Sequence, residues 1–166
     1  MLSPVTWYHT CVVFDGANTD TLYYRDGAQI GATQNNGIAS LHNGSSPFSI
    51  GAENVGVTPT EFFNGQLDDV RVWTRVLSAA EILALYNDPC TDSLSGANLS
   101  AQWLFDDDFL DYTSNNNDLT ETGGVAYSTE LPYTSGDCPV VSVPQKNAAG
   151  TTIEGSASFN GSVFIQ

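Results

Sequence analysis

Short stretches in which apolar and polar residues alternate, each closed by Gly, Asn, Asp or Ser, follow one another along most of the chain. That rhythm predicts strands. Trp7 to Asp15 reads as the first strand and stops at the turn Asp15-Gly16. Thr21 to Arg25 is the second. Asp26-Gly27 then marks a tight hairpin, because glycine takes φ > 0 at no steric cost, and Ala28 to Gly31 is the returning strand. Ile38 to Leu41 and Phe48 to Gly51 are shorter candidates. Phe62-Phe63-Asn64-Gly65 leads into Gln66 to Thr74, where Leu67, Val70 and Val72 break strict alternation. The break predicts a bulge or a strand buried on both faces.

The period changes once. Ser78-Ala79-Ala80-Glu81 is a capping box, in which the Ser hydroxyl and the Glu carboxylate satisfy first-turn amides. Leu77, Ile82, Leu85 and Tyr86 form one apolar face, and Pro89 ends the helix, so a short helix is expected near residues 78–87. Beyond it the strand rhythm returns. Leu99 to Phe105, Val140 to Val143 between two prolines, Ser156 to Phe159 and Val163 to Ile165 all read as strands, the last two flanking the turn Asn160-Gly161. The fold class predicted is all-β, an antiparallel sandwich with one helix.

Charge narrows the function classes. Nineteen Asp and Glu stand against four Lys and Arg, for a formal net charge of −15 over 166 residues. Arg25, Arg71, Arg75 and Lys146 form no cluster that could neutralise phosphates, so nucleic acid is excluded as a partner. An anionic membrane surface is disfavoured for the same reason. No apolar run reaches the roughly 20 residues a membrane helix needs, so no membrane insertion is expected. The start, Met1 to Trp7, lacks the pattern of a signal peptide, so an exported form would be a piece of a longer chain or one whose signal has been removed.

Of the three cysteines, Cys11 lies in the apolar run Cys11-Val12-Val13-Phe14 and is expected to be a buried strand residue. Cys90 and Cys138 sit in turn-rich surroundings at either end of one segment, a placement that suits a disulfide between them in an oxidising compartment. Two unpaired thiols are the other reading, since connectivity is not contained in spacing. Sequons at Asn43, Asn98 and Asn160 offer glycosylation sites that agree with export.

The order of these features carries a resemblance. Trp7-Tyr8-His9, Phe14-Asp15-Gly16, Leu22-Tyr23-Tyr24-Arg25-Asp26-Gly27, Ile50-Gly51 and Phe63-Asn64-Gly65-Gln66-Leu67-Asp68-Asp69-Val70-Arg71-Val72-Trp73 precede the capping box. Together they resemble the closing half of a laminin-G-like, concanavalin A-like jelly roll, a relative of pentraxins and legume lectins. Ala101-Gln102-Trp103-Leu104-Phe105-Asp106, the Asx-rich stretch Asp111 to Thr120 and Ser158 to Ile165 resemble the opening half of such a domain. The organisation expected is thus a closing half over 1–90, a linker over 91–98 and an opening half over 99–166. Three arrangements fit: a cut across two tandem repeats, a permuted domain, or a subunit completed by a neighbouring copy. The tandem array, completed by neighbours, is preferred, because half a sandwich alone exposes its inner apolar face.

The resemblance also implies chemistry. Related domains hold Ca²⁺ on acidic loops, which points to Asp111, Asn116 and Asp118, with Asp106 and Asp108 nearby, as oxygen ligands. The alternative is that these Asx residues bond their own turns. Glu53-Asn54, with Glu61, is a second place where pentraxins put such ligands. Asp68 and Asp69 resemble a catalytic pair, but strand neighbours point to opposite faces, so bonding a loop or pairing with Arg71 is the preferred role. The Glu-x-Asp-x-x-Glu arrangement of sandwich glycosidases is absent from the sequence. His9 and His42 fall in no nucleophile or zinc spacing, and His9 is expected to bond within its strand. Trp7, Trp73 and Trp103 are expected in the core rather than as a sugar platform. The function expected is a non-catalytic extracellular or cell-surface module for adhesion or structural assembly, with other copies or adjacent repeats as partners. A Ca²⁺-dependent lectin that binds glycans is the alternative, and an enzyme is the third class.

Overall fold

The computed structural model describes residues 6–41, 48–55, 58–88, 98–106, 108–122, 125–126 and 162–165; the strands within 53–60 and 162–165 are described by backbone and register only. In chain order the elements are β1 (Thr10–Asp15), β2 (Asp20–Arg25), β3 (Ala28–Asn35), β4 (Glu53–Val55), β5 (Thr58–Thr60), β6 (Val70–Trp73), α1 (Ala79–Asn87), β7 (Leu99–Trp103) and β8 (Ser162–Ile165). Among the described residues the fold is all-β and antiparallel with one short helix, as the alternation predicts.

Six strands make one sheet in the order β3-β2-β1-β8-β6-β7, and β4 and β5 form a separate hairpin. Every pairing is antiparallel. Strands from before and after residues 91–98 therefore share a sheet. β8 lies between β1 and β6, and β7 pairs with β6 at its edge.

The β1–β2–β3 end is organised by the turn the sequence marks. Asp26 and Gly27 both have positive φ, 52° and 75°, the requirement of a type I′ hairpin. Gly27 is also needed for space. A Cβ there would come within 2.8 Å of Leu83 Cδ1 and 3.1 Å of Tyr86 Cδ1, both on α1. The turn thus lets the helix rest on the hairpin.

Alternation along the strands sorts side chains into two clusters. On the helix side, Cys11, Val13, Tyr24 and Trp73 pack with Leu77, Ile82 and Leu85. On the other side, Val70, Val72, Ala101 and Trp103 pack against Phe48, Ile50, Phe105 and Leu119. β6 contributes to both and is buried at every position, and its pairing with β7 shifts register between Val72 and Trp73. Both outcomes anticipated from its broken alternation are present. Each large apolar side chain buried in this way contributes roughly 1.5–3 kcal/mol.

Helix α1 starts where the capping box places it. Ser78 Oγ accepts from Glu81 N at 3.3 Å, and the Glu81 carboxylate accepts from Ser78 N at 2.8 Å. At two and a half turns the helix depends on packing rather than propensity, and Ile82 and Leu85 are its fully buried anchors.

Some expectations need correction. Ile38 to Leu41 forms no strand and is exposed. Phe48 to Gly51 is not a strand either; Phe48 stacks on Trp103 with ring centroids 5.8 Å apart, so its apolar character marks a lid over the sheet. The β4–β5 hairpin was not anticipated, and its Pro59 is a residue that argues against strand from sequence. β3 runs four residues past Gly31, whose φ of 71° lets the strand bulge and continue. Val140 to Val143 and Ser156 to Phe159 lie outside the described residues.

Candidate functional site

Asp69 enters β6 in the left-handed region, with φ 42°. This turns its carboxylate onto Arg71, two residues on and therefore on the same face. Arg71 Nε donates to Oδ1 at 2.8 Å and Nη2 to Oδ2 at 2.6 Å. Gln102 Nε2 on the neighbouring strand donates to Oδ1 at 3.2 Å. The side chains of the pair are only 9% and 3% exposed. A bidentate fork of this kind is among the stronger intramolecular bonds. It ties both carboxylate oxygens to donors of the chain itself.

Asp68, beside it, is buried as well. Burial, with the negative charges of Asp69 and Asp106 nearby, pushes its carboxyl up to about 7. His9 shifts the other way. Burial lowers its imidazole to about 4, Asp26 opposing and Arg71 adding to the effect. His9 is tied to the hairpin through its backbone: its N–H donates to Asp26 Oδ1 at 3.1 Å, and its carbonyl accepts from Asp26 N at 2.8 Å. Its ring lies 5.6 Å from that of Tyr86.

The second centre is the loop that follows β7. Asp111 is completely buried. Its Oδ1 accepts from Gln102 N at 3.0 Å and Thr113 N at 2.9 Å. Its Oδ2 accepts from Thr113 Oγ1 at 2.9 Å, Asn117 N at 2.8 Å and Asn117 Nδ2 at 3.1 Å. Around it, Asp111 N donates to Asp118 Oδ1, Leu110 N to Asp108 Oδ1, and Tyr112 Oη to Asp108 Oδ2. Asn116, with φ 56°, turns the loop and donates to Ser114 O.

These residues are the ones expected to hold calcium. The loop joins Asp111 to Asp118 through the Asp111 N–H, while Asp108 accepts from Leu110 and Tyr112, Asn116 turns to Ser114 O, and Asp106 is exposed. N–H and O–H donors rather than one another thus surround these carboxylates. Donor hydrogens occupy the lone pairs a cation would need, so Asp111 does not fit a calcium ligand. Among the described residues no group of three or more His, Cys, Asp or Glu side chains is placed to hold a metal. Of the second candidate set, Glu53 and Asn54 lie on β4 opposite Thr60 and Pro59, and Glu61 is exposed with φ 50°.

Cys11 is buried and free, its thiol pushed up to about 12 by burial. Cys90, Cys138, Asn43, Asn160 and His42 lie outside the described residues. Asn98 is exposed, and its carbonyl accepts from Thr74 N and Oγ1 at the start of β7. Trp73 and Trp103 are core residues, and Trp103 Nε1 donates to Asn117 O at 2.8 Å. Trp7 is half-buried. What sequence reasoning missed is the set of donors, Gln102, Thr113 and Asn117. The Asp111-x-Thr113 spacing of a self-bonded Asx turn was the available signal.

An antiparallel sheet with a helix on one face and carboxylates bonded inward describes an all-β module. The family model described as the concanavalin A-like lectin/glucanases superfamily, in its laminin-G form, matches residues 1–83, half of the chain. The chain belongs to this superfamily. No curated protein and no solved structure matches it. No described helix is long and apolar enough to cross a membrane.

Proposed function

We propose that the chain is a non-catalytic extracellular module for adhesion or structural assembly, with further copies or adjacent repeats as partners. One observation carries this reading: the buried carboxylates of Asp69 and Asp111 are engaged by donors of the chain itself. Glycoside hydrolysis needs two carboxyls facing each other across a cleft. Asp68 keeps a proton to about pH 7, but Asp69 beside it is taken by Arg71. The sequons and the turn-rich setting of Cys90 and Cys138 support the extracellular placement. Sedimentation velocity on the full chain, run beside a reducing-sugar assay on a panel of β-glucans, tests the reading. Self-association without hydrolysis is the expected result. Turnover of any glucan that Asp68→Asn abolishes overturns it.

A second reading, carbohydrate binding, is favoured by one feature. Phe62 and Phe63 are 59% and 56% exposed on the loop before Asn64-Gly65, and exposed ring faces beside polar groups can stack on sugars. A glycan array with and without chelator decides it. Binding lost in Phe62→Ala supports this reading, and chelator sensitivity identifies a calcium-dependent lectin.

A further inference from the structure

The two edges of the six-stranded sheet differ in kind. At β7 the 111–117 loop takes the outward backbone groups. Gln102 N donates to Asp111, Gln102 O accepts from Tyr112 N at 2.8 Å, and Ser100 O accepts from Asn115 Nδ2 and Asn117 Nδ2, each at 2.9 Å. That edge is closed by its own chain. At the opposite edge, among the described residues, β3 is bonded to β2 alone, and all eight of its residues are exposed. Antiparallel alternation turns every other N–H and C=O of such a strand away from its neighbour.

The open edge is also the place where charge vanishes. The stretch from Gly27 to Ala52 contains no Asp, Glu, Lys or Arg, in a chain of net charge −15. Natural edges are commonly guarded by charged side chains, lysine above all, and this one is not. Two copies so acidic repel across most surfaces. They can approach closely where neither carries charge. The strand also borders an apolar row: Ile30, Tyr23 and Val12 are in register on adjacent strands and are each about two-fifths exposed.

We infer that β3 pairs antiparallel with β3 of a second copy, joining the two sheets across a two-fold axis. The inference rests on the proposed role in assembly and specifies its geometry. The bulge places Gly31 to Thr33 opposite Leu22, near the middle of the strand. An axis through Ala32 sets bulge against bulge and Gln29 against Asn35 of the second copy, two residues that pair with Tyr24 and Asp20 of β2 and so lie on one face of the sheet. Both turn their backbone N–H and C=O away from β2, Asn35 because its neighbour Asn36 donates to Thr19 O. Because the β7 edge is closed, strand addition ends at two copies, giving a closed pair rather than a filament.

The test is sedimentation equilibrium of the full chain and of Ala28→Lys/Ala32→Lys, two exposed alanines, over a range of protein and NaCl concentrations. The wild type is expected to form dimers, favoured by added NaCl as the mutual repulsion is screened. The double variant should dissociate at least about tenfold more readily, with an unchanged far-UV spectrum. Association that the lysines leave intact overturns the β3 interface while the assembly role stands. A wild type that stays monomeric at every concentration overturns both. Amide exchange on the wild type gives an answer independent of the variant folding. Protection over residues 28–35 should rise with protein concentration, and exchange there that ignores concentration overturns the inference.

Discussion

Asn117 reaches Asp111 twice, its backbone N–H and its side-chain amide both donating to Oδ2, at 2.8 and 3.1 Å. The same amide donates to Ser100 O at 2.9 Å. One asparagine therefore locks the loop to the buried carboxylate and the carboxylate's loop to the sheet. Asp111→Ala leaves several buried donors without an acceptor, each costing roughly 1–3 kcal/mol. The loss should exceed about 3 kcal/mol in urea denaturation. It should be the same in EDTA as in CaCl₂, because the donors and not a cation complete the carboxylate.

The Asp69–Arg71 fork makes a second prediction. Arg71→Ala strands a buried carboxylate and should cost about 3–5 kcal/mol. Replacing both partners by uncharged residues, as in Asp69→Asn/Arg71→Gln, should cost less than Arg71→Ala alone. A double-mutant cycle by chemical denaturation measures this. A double variant less stable than Arg71→Ala would show that the pair's charges are not coupled as the geometry implies.

Stability should respond to pH through two groups acting in opposite directions. The Asp68 carboxyl is raised to about 7 by burial, Asp69 and Asp106. Its favourable contribution is complete below the ordinary carboxylate range near 4 and is lost as pH rises through about 7. The His9 imidazole is lowered to about 4 by burial. Its contribution is complete above the ordinary histidine value near 6.5 and is lost as pH falls through about 4. Asp68→Asn should therefore stabilise the protein at pH 8 and leave it little changed at pH 4. His9→Gln should flatten the loss between pH 6 and 4. Thermal midpoints across this range check both.

Gly27 carries two demands at once, a positive φ of 75° and a close approach to Leu83. Gly27→Ala should cost about 1–2 kcal/mol from backbone conformation alone, with a steric cost added. Leu83 is 46% exposed, so Gly27→Ala/Leu83→Ala should recover the part of the steric share that Leu83 makes and leave the Tyr86 contact and the conformational cost. Thermal denaturation of the single and double variants separates the two.

Ser78→Ala removes the hydroxyl from the capping box and should cost about 1 kcal/mol. Glu81 also meets Arg75 at 2.8 Å, and its carboxyl is drawn down to about 2, by Arg75 first and by Ser78. Because the pair is partly exposed, Arg75→Ala should cost less than about 1 kcal/mol, and less still in high salt. Urea titrations at low and high NaCl measure both.

The local features were legible because they rest on neighbours in sequence. A type I′ turn needs two residues with positive φ, so Asp26-Gly27 announces itself. A capping box needs only Ser78 and Glu81, three apart. The apolar run around Cys11 marked that residue as buried, and the broken alternation at Leu67, Val70 and Val72 marked β6 as a strand either bulged or covered on both sides. The bare pattern failed where a side chain served something distant. Phe48 reads as strand but lies flat on Trp103, and β3 continues past Gly31 because β2 supports it.

By itself, then, the sequence determined an antiparallel β class, its main turns, its one helix and a surface too acidic for phosphate. These follow from the period of side chains and from the backbone freedom of single residues, which act over a few positions. Only the tertiary structure decided that strands from before and after residues 91–98 join one sheet, that Asp111 is filled by donors from Gln102, Thr113 and Asn117, and that, among the described residues, β7 is sealed while β3 is bonded on one side only. Those outcomes depend on which groups meet across long separations in the chain. A carboxylate in sequence carries the same charge whether it meets a cation, an arginine or a ring of amide hydrogens, and only packing selects among them.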